Sequence, residues 1–119
     1  MRPLKERLEM VERVLGKIAQ NKQCPPEYQR SIAHFREGIL SVLNSDRIFG
    51  DRERVMVVTA NRLVKLIRLT MRYNRMRSAG LIDRNPFFET TLSRVSNISP
   101  HSDLSGTAIS LLAKVAGFS

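Results

Sequence analysis

RVMVVTANRLVKLIRLTMRYNRMR, residues 54–77, decides how this 119-residue chain is read. It holds seven basic residues, Arg54, Arg62, Lys65, Arg68, Arg72, Arg75 and Arg77, and no acid, so it alone supplies +7 of the +9 formal net charge. At about 100° per residue, the step of a helix, Arg54, Lys65, Arg68, Arg72 and Arg75 fall within an arc of about 80°. Met56, Ala60, Leu63 and Ile67 lie on a separate arc. A helix that buries one side and lines another with arginine is shaped to grip something anionic and extended.

The helix is expected to start at Asp51, an N-cap candidate directly after Gly50, and to run to Ser78 with Gly80 as its stop. At a rise of ~1.5 Å per residue it would span about 40 Å. Val55-Met56-Val57-Val58-Thr59 has strand-like composition but sits inside the helical pattern. A second apolar flank, Val55, Val58, Leu66, Leu69, Tyr73 and Met76, exceeds what one helical hairpin can cover. Either the C-terminal segment or another protomer must cover it, and a homodimer built on Val55, Leu66, Leu69, Tyr73 or Met76 is the expectation.

Working outward, Leu4, Leu8, Val11, Leu15 and Ile18 alternate spacings of four and three, which predicts a helix over 3–21 with one buried face. Pairs Lys5–Glu9 and Glu9–Arg13 suit its exposed side. Pro25-Pro26 opens a second helix over 26–43, with Tyr28, Ile32, Phe35, Ile39 and Val42 inward. Matching stripes and a short connection predict an antiparallel helical hairpin. Further on, Asn85-Pro86-Phe87-Phe88-Glu89 reads as a helix start that fades near Asn97, and a last helix is expected over 103–116. The fold class is therefore all-α, a small helical bundle: a hairpin, a long basic third helix and short C-terminal helices. One domain covers 1–119, with a basic body at 1–78 and a neutral segment at 79–119, where three Lys/Arg meet three Asp/Glu.

The pI near 10.8 points to an anionic partner, nucleic acid before a membrane surface. Arginine outnumbers lysine fifteen to five, and its planar fork binds phosphate in bidentate fashion. The nucleic-acid-binding residues expected are Arg36, Arg47, Arg54, Arg62, Lys65, Arg68, Arg72, Arg75 and Arg77. Arg36 and Arg47 would widen the stripe into a two-helix platform, and Tyr73 and Asn74 could reach bases. Without a helix-turn-helix, zinc-ligand spacing or an aromatic RNP pattern, contact with the backbone of duplex RNA or DNA is favoured over base readout, RNA slightly first. The competing reading of the run is a solvated face neutralised by Glu6, Glu9 or Glu12. The alternative function is a small helical adaptor, chaperone or assembly protein that docks an acidic protein partner, with the second flank or Phe87, Phe88 and Phe118 as its groove.

In architecture and charge alone, residues 3–78 are similar to viral suppressors of RNA silencing that bind duplex RNA on a dimeric helical bundle. No motif matches residue for residue, so no functional residue is carried across.

Catalysis has little to stand on. His34 and His101 have no carboxylate or cysteine partner at ligand spacing, and no phosphate loop, nucleophile elbow or HExxH motif occurs. No enzymatic activity, cofactor or metal is expected. Cys24 is the single cysteine, so no intramolecular disulfide can form, and a reducing, cytoplasmic setting is expected, in a host cell if the protein is viral. No apolar run approaches a membrane span.

Overall fold

A computed structural model describes residues 3–46 and 48–95. Arg47, His101, Phe118 and the helix expected over 103–116 lie outside the described residues. In chain order the structure consists of α1 (Leu4–Gln20), a 3-10 turn (Pro26–Tyr28), α2 (Gln29–Leu43), α3 (Asp51–Ser78) and α4 (Pro86–Val95). Among the described residues there is no strand, and Val55 to Thr59 lie within α3.

The predicted stripe of α1 is the buried one: Leu8, Val11, Leu15 and Ile18. Ile32, Phe35, Ile39 and Val42 face inward from α2, together with Ser31. Full burial of side chains such as these stabilises the fold by about 1.5–3 kcal/mol each. Hydrogen bonds set the register between the two helices. Gln29 Nε2 donates to the Ala19 carbonyl (3.0 Å) and Arg36 Nε to Glu12 Oε1 (2.9 Å), so positions rise along α2 as they fall along α1. The second helix begins later than its sequence suggests. Two prolines without N–H groups force a tight start, in which the Tyr28 N–H donates to the Pro25 carbonyl at 3.1 Å, and the α-helix proper begins at Gln29.

Both ends of α3 are specified locally. Gly50, not Asp51, is the N-cap residue; its N–H donates to Glu53 Oε2 at 2.9 Å, and Asp51 is the first helical residue. Asp51 and Glu53 also place negative charge where the helix dipole favours it. At the other end the Leu81 N–H donates to the Met76 carbonyl and the Gly80 N–H to that of Arg77. This is a Schellman stop, and it puts Gly80 at φ +73°, where a side chain would be strained.

Helix α3 joins the hairpin mainly through α1, which packs against both of its partners. Val57, Ala60, Leu63, Val64, Leu66, Ile67 and Met71 enter the core from α3. One buried polar link ties α3 to the start of α2. The Thr70 hydroxyl donates to the Leu66 carbonyl (2.9 Å) and lies 3.0 Å from the Tyr28 hydroxyl, which thereby finds its acceptor. A buried hydroxyl needs such a partner, and this pair supplies it.

Burial pushes the Tyr28 phenol up from its ordinary 10 to about 12. Ionisation is therefore resisted in the folded chain more than in the unfolded one. That contribution is fully present below pH 10 and is lost as pH rises toward 12, about 2–3 kcal/mol in all. The denaturation midpoint should fall across this window, and Tyr28→Phe should flatten the fall while costing about 1 kcal/mol at neutral pH. Parent and variant losing stability in parallel from pH 10 to 12 would refute the assignment.

Candidate nucleic-acid interface

The core encloses α3 more widely than one apolar stripe would. Projected at about 100° per residue, its buried positions run from Leu69 through Thr70 and Leu63 to Val64 and Val57, roughly two-thirds of the circumference. The remaining arc is solvent-exposed along its length. In order it carries Arg54, Val58, Asn61, Lys65, Arg68, Arg72 and Arg75, in alternating steps of four and three. From Lys65 onward every position on this line is a cation, and no acid lies on it. Asn61 belongs to the line by spacing, although nothing in its residue type singled it out.

Two of the three helix-one acids expected to neutralise this face pair with other cations. Glu12 is held by Arg36, and Glu9 lies 4.0 Å from Arg13 one turn along the same helix. Lys65, Arg68 and Arg75 are exposed and in no ion pair among the described residues. Arg54 is exposed with a loose contact of 3.8 Å to Asp51, a pair worth little in water. Arg72 is exposed and Arg62 half-buried, and both make contacts within the chain.

Of the expected binding residues, Arg36 is used inside the fold, and Arg77 is exposed but off the line. Both Nε and Nη2 of Arg36 converge on Glu12 Oε1, at 2.9 and 2.8 Å, and the guanidinium lies against Gly16. A Cβ added at Gly16 would stand 3.2 Å from Arg36 Cζ, so the missing side chain provides the seat. Arg77 leaves α3 on the opposite side from the line, within 5.9 Å of the Tyr73 ring centroid and 4.0 Å from Glu89 Oε1. Its role is at the α3–α4 corner. The expected two-helix platform therefore loses Arg36, Arg47 lies outside the described residues, and what remains on α3 is a line.

Tyr73 is likewise removed from base contact. Its ring is 2% exposed and lies 4.3 Å from that of Phe88, centroid to centroid. Its hydroxyl accepts from the Asn85 N–H (2.7 Å), and Asn85 Oδ1 caps α4 by accepting from the Phe88 N–H (3.0 Å). Glu89 closes the corner on Arg84 at 2.8 Å. The C-terminal segment thus covers Tyr73, and Leu66 and Leu69 are also buried within the chain. Of the residues expected to build a dimer, these three are not free for a second copy. Val55 stays 59% exposed and Met76 half-buried.

Other chemistry finds no cluster. Among the described residues no three His, Cys, Asp or Glu side chains gather where they could hold a metal. His34 is exposed. Cys24 is buried, its thiol pushed up by burial and then by Glu27, which disfavours the reactive thiolate. Among the described residues no helix is long and apolar enough to cross a membrane. Fold and site together define a small all-α bundle with one acid-free basic line. Compared with family models, curated proteins and solved structures, the chain finds no match.

The division of the arginines is testable by stability alone. Arg36→Ala and Glu12→Ala should each destabilise by about 1 kcal/mol, whereas Arg68→Ala should stay within about 0.5 kcal/mol of the parent. Equal denaturation midpoints for Arg36→Ala and Arg68→Ala would show that the Arg36 pair is no strut.

Proposed function

We propose that this protein binds nucleic acid without catalysing a reaction, by laying the exposed face of α3 along the phosphate backbone. One observation carries the reading. Lys65, Arg68, Arg72 and Arg75 occupy one straight line on a rigid helix with no acid among them. Their rises place them along about 15 Å, close enough for successive phosphates to engage them together. Such a line recognises charge and spacing rather than base identity.

Duplex is favoured over single strands because stacking platforms for bases are missing from this face. Tyr28, Phe35, Tyr73 and Phe88 are all buried, and no aromatic lies on the line. RNA is preferred slightly to DNA, since a helix that reads shape needs no access to base edges in the major groove. A single, buried cysteine suits an intracellular, reducing setting. A second reading, a small adaptor for an acidic protein, is favoured by one feature. Val55 and Val58 on α3, and Ile48 at 97% exposure just before it, are apolar and open to solvent.

Binding to duplex RNA, duplex DNA and single strands, measured by fluorescence anisotropy at two salt concentrations, tests the proposal. Each single change of Lys65, Arg68, Arg72 or Arg75 to Ala should weaken binding of all sequences alike and lower the log–log salt slope by about 0.7–0.9. The quadruple variant should stay folded and lose about a hundredfold or more in affinity at low salt. A folded quadruple variant that binds as well as the parent would reduce the line to a solvated face and leave the adaptor reading in the lead.

A further inference from the structure

Two shallow clefts open on either side of Asn74, near the C-terminal end of α3. The first, about 450 Å³, is lined by Gln23, Met71, Asn74, Arg75, Ser78 and Ala79. The second, about 360 Å³, includes Glu27 and Glu89 in its wall. The two differ in charged lining among the described residues: the first has the Arg75 guanidinium and no acid, whereas the second has Glu27 and the Arg84-paired Glu89. Arg75 ends the basic line and also stands in the wall of the first cleft, so a strand following the line arrives there.

We infer that this first cleft receives an unpaired nucleotide of the bound nucleic acid, an inference that rests on the function proposed above. The lining suits a base rather than a second phosphate. Gln23 and Asn74 each present a carboxamide, a donor and an acceptor side by side, which matches the edge of a nucleobase. Along with Ser78, both are exposed and make no side-chain hydrogen bond among the described residues, so their polar groups are open to a ligand. Met71, almost buried, offers a thioether floor on which the face of a base can rest. Arg75 would take the phosphate of that nucleotide.

A base held inside a duplex shows its pairing edge to its partner, so only an unpaired nucleotide can use these carboxamides fully. The experiment compares a blunt duplex RNA, the same duplex with a short unpaired 3′ extension, and that duplex with an abasic extension of equal length. The parent should bind the base-bearing extension about tenfold more tightly than the other two. The abasic arm controls for added phosphates, which would strengthen both extended duplexes alike. The Gln23→Ala/Asn74→Ala variant changes two exposed uncharged residues. It should bind the base-bearing extension no more tightly than the abasic one, and Asn74→Asp should abolish the preference in the same way. A parent that binds base-bearing and abasic extensions equally overturns the inference, as does a double variant that keeps the preference. If no duplex binds at all, the basic line itself is refuted and the cleft assignment falls with it. Equal binding of all three duplexes refutes the cleft alone.

Discussion

A guanidinium taken out of water without a carboxylate costs several kcal/mol, and α3 is enclosed by core around roughly two-thirds of its circumference. These two facts together dictate where each cation of the helix can stand. Those on the open arc remain solvated. Arg77, on the far side, stands where the helix nears its end and stays exposed, with Glu89 and the Tyr73 ring within reach. Arg62, at the margin, is half-buried and has contacts within the chain. The basic line is thus the geometric remainder of packing: it is narrow because the core is wide. The same enclosure excludes aromatic rings from the line, since Tyr73 is drawn inward against Phe88.

Arg36 shows the opposite solution. Its charge is carried between α1 and α2 on a single Glu12 oxygen, close against position 16, where a Cβ would stand 3.2 Å from Cζ. A glycine inside a helix costs about 1 kcal/mol relative to alanine. Here it is offset by a half-buried ion pair that links two helices and fixes their register together with the Gln29–Ala19 bond.

Most of the fold was legible in the sequence because its signals are local. Four-three spacing marked Leu8 to Ile18 and Ile32 to Val42 as inward faces, and Gly80 and Asn85-Pro86 marked ends whose bonds span only a few residues. The failures at the site depend on distant partners, whereas the starts of α2 and α3 were missed by a few residues for local reasons. Nothing near Arg36 announces Glu12, twenty-four residues earlier, or the seat at Gly16. Sequence could show that Leu66, Leu69 and Tyr73 needed cover, but not that the chain would supply it itself. Tyr73 found its cover in Phe88, at a contact that depends on the Schellman turn reversing the chain. The candidate site was half legible: periodicity gave the line and places Arg77 off it, whereas the withdrawal of Arg36 and Tyr73 from the site follows from tertiary packing.

Lys65, Arg68, Arg72 and Arg75 repel one another, and a flexible segment would relieve that by splaying. Helix α3 cannot, because Leu63, Leu66, Ile67, Thr70 and Met71 interleave with them and are buried on the other side. Hydrophobic burial therefore holds the cations in a spacing that water alone would not favour. The arrangement has two physical consequences for binding. Little conformational entropy of the backbone remains to be lost when a polyanion arrives, so more of each charge contact appears as affinity. A ligand that neutralises the line also removes a strain present only in the folded chain, so its binding must stabilise the fold by mass action. An acidic protein partner would do the same, but it would need carboxylates in a matching line, whereas every nucleic-acid backbone presents its charges in a row.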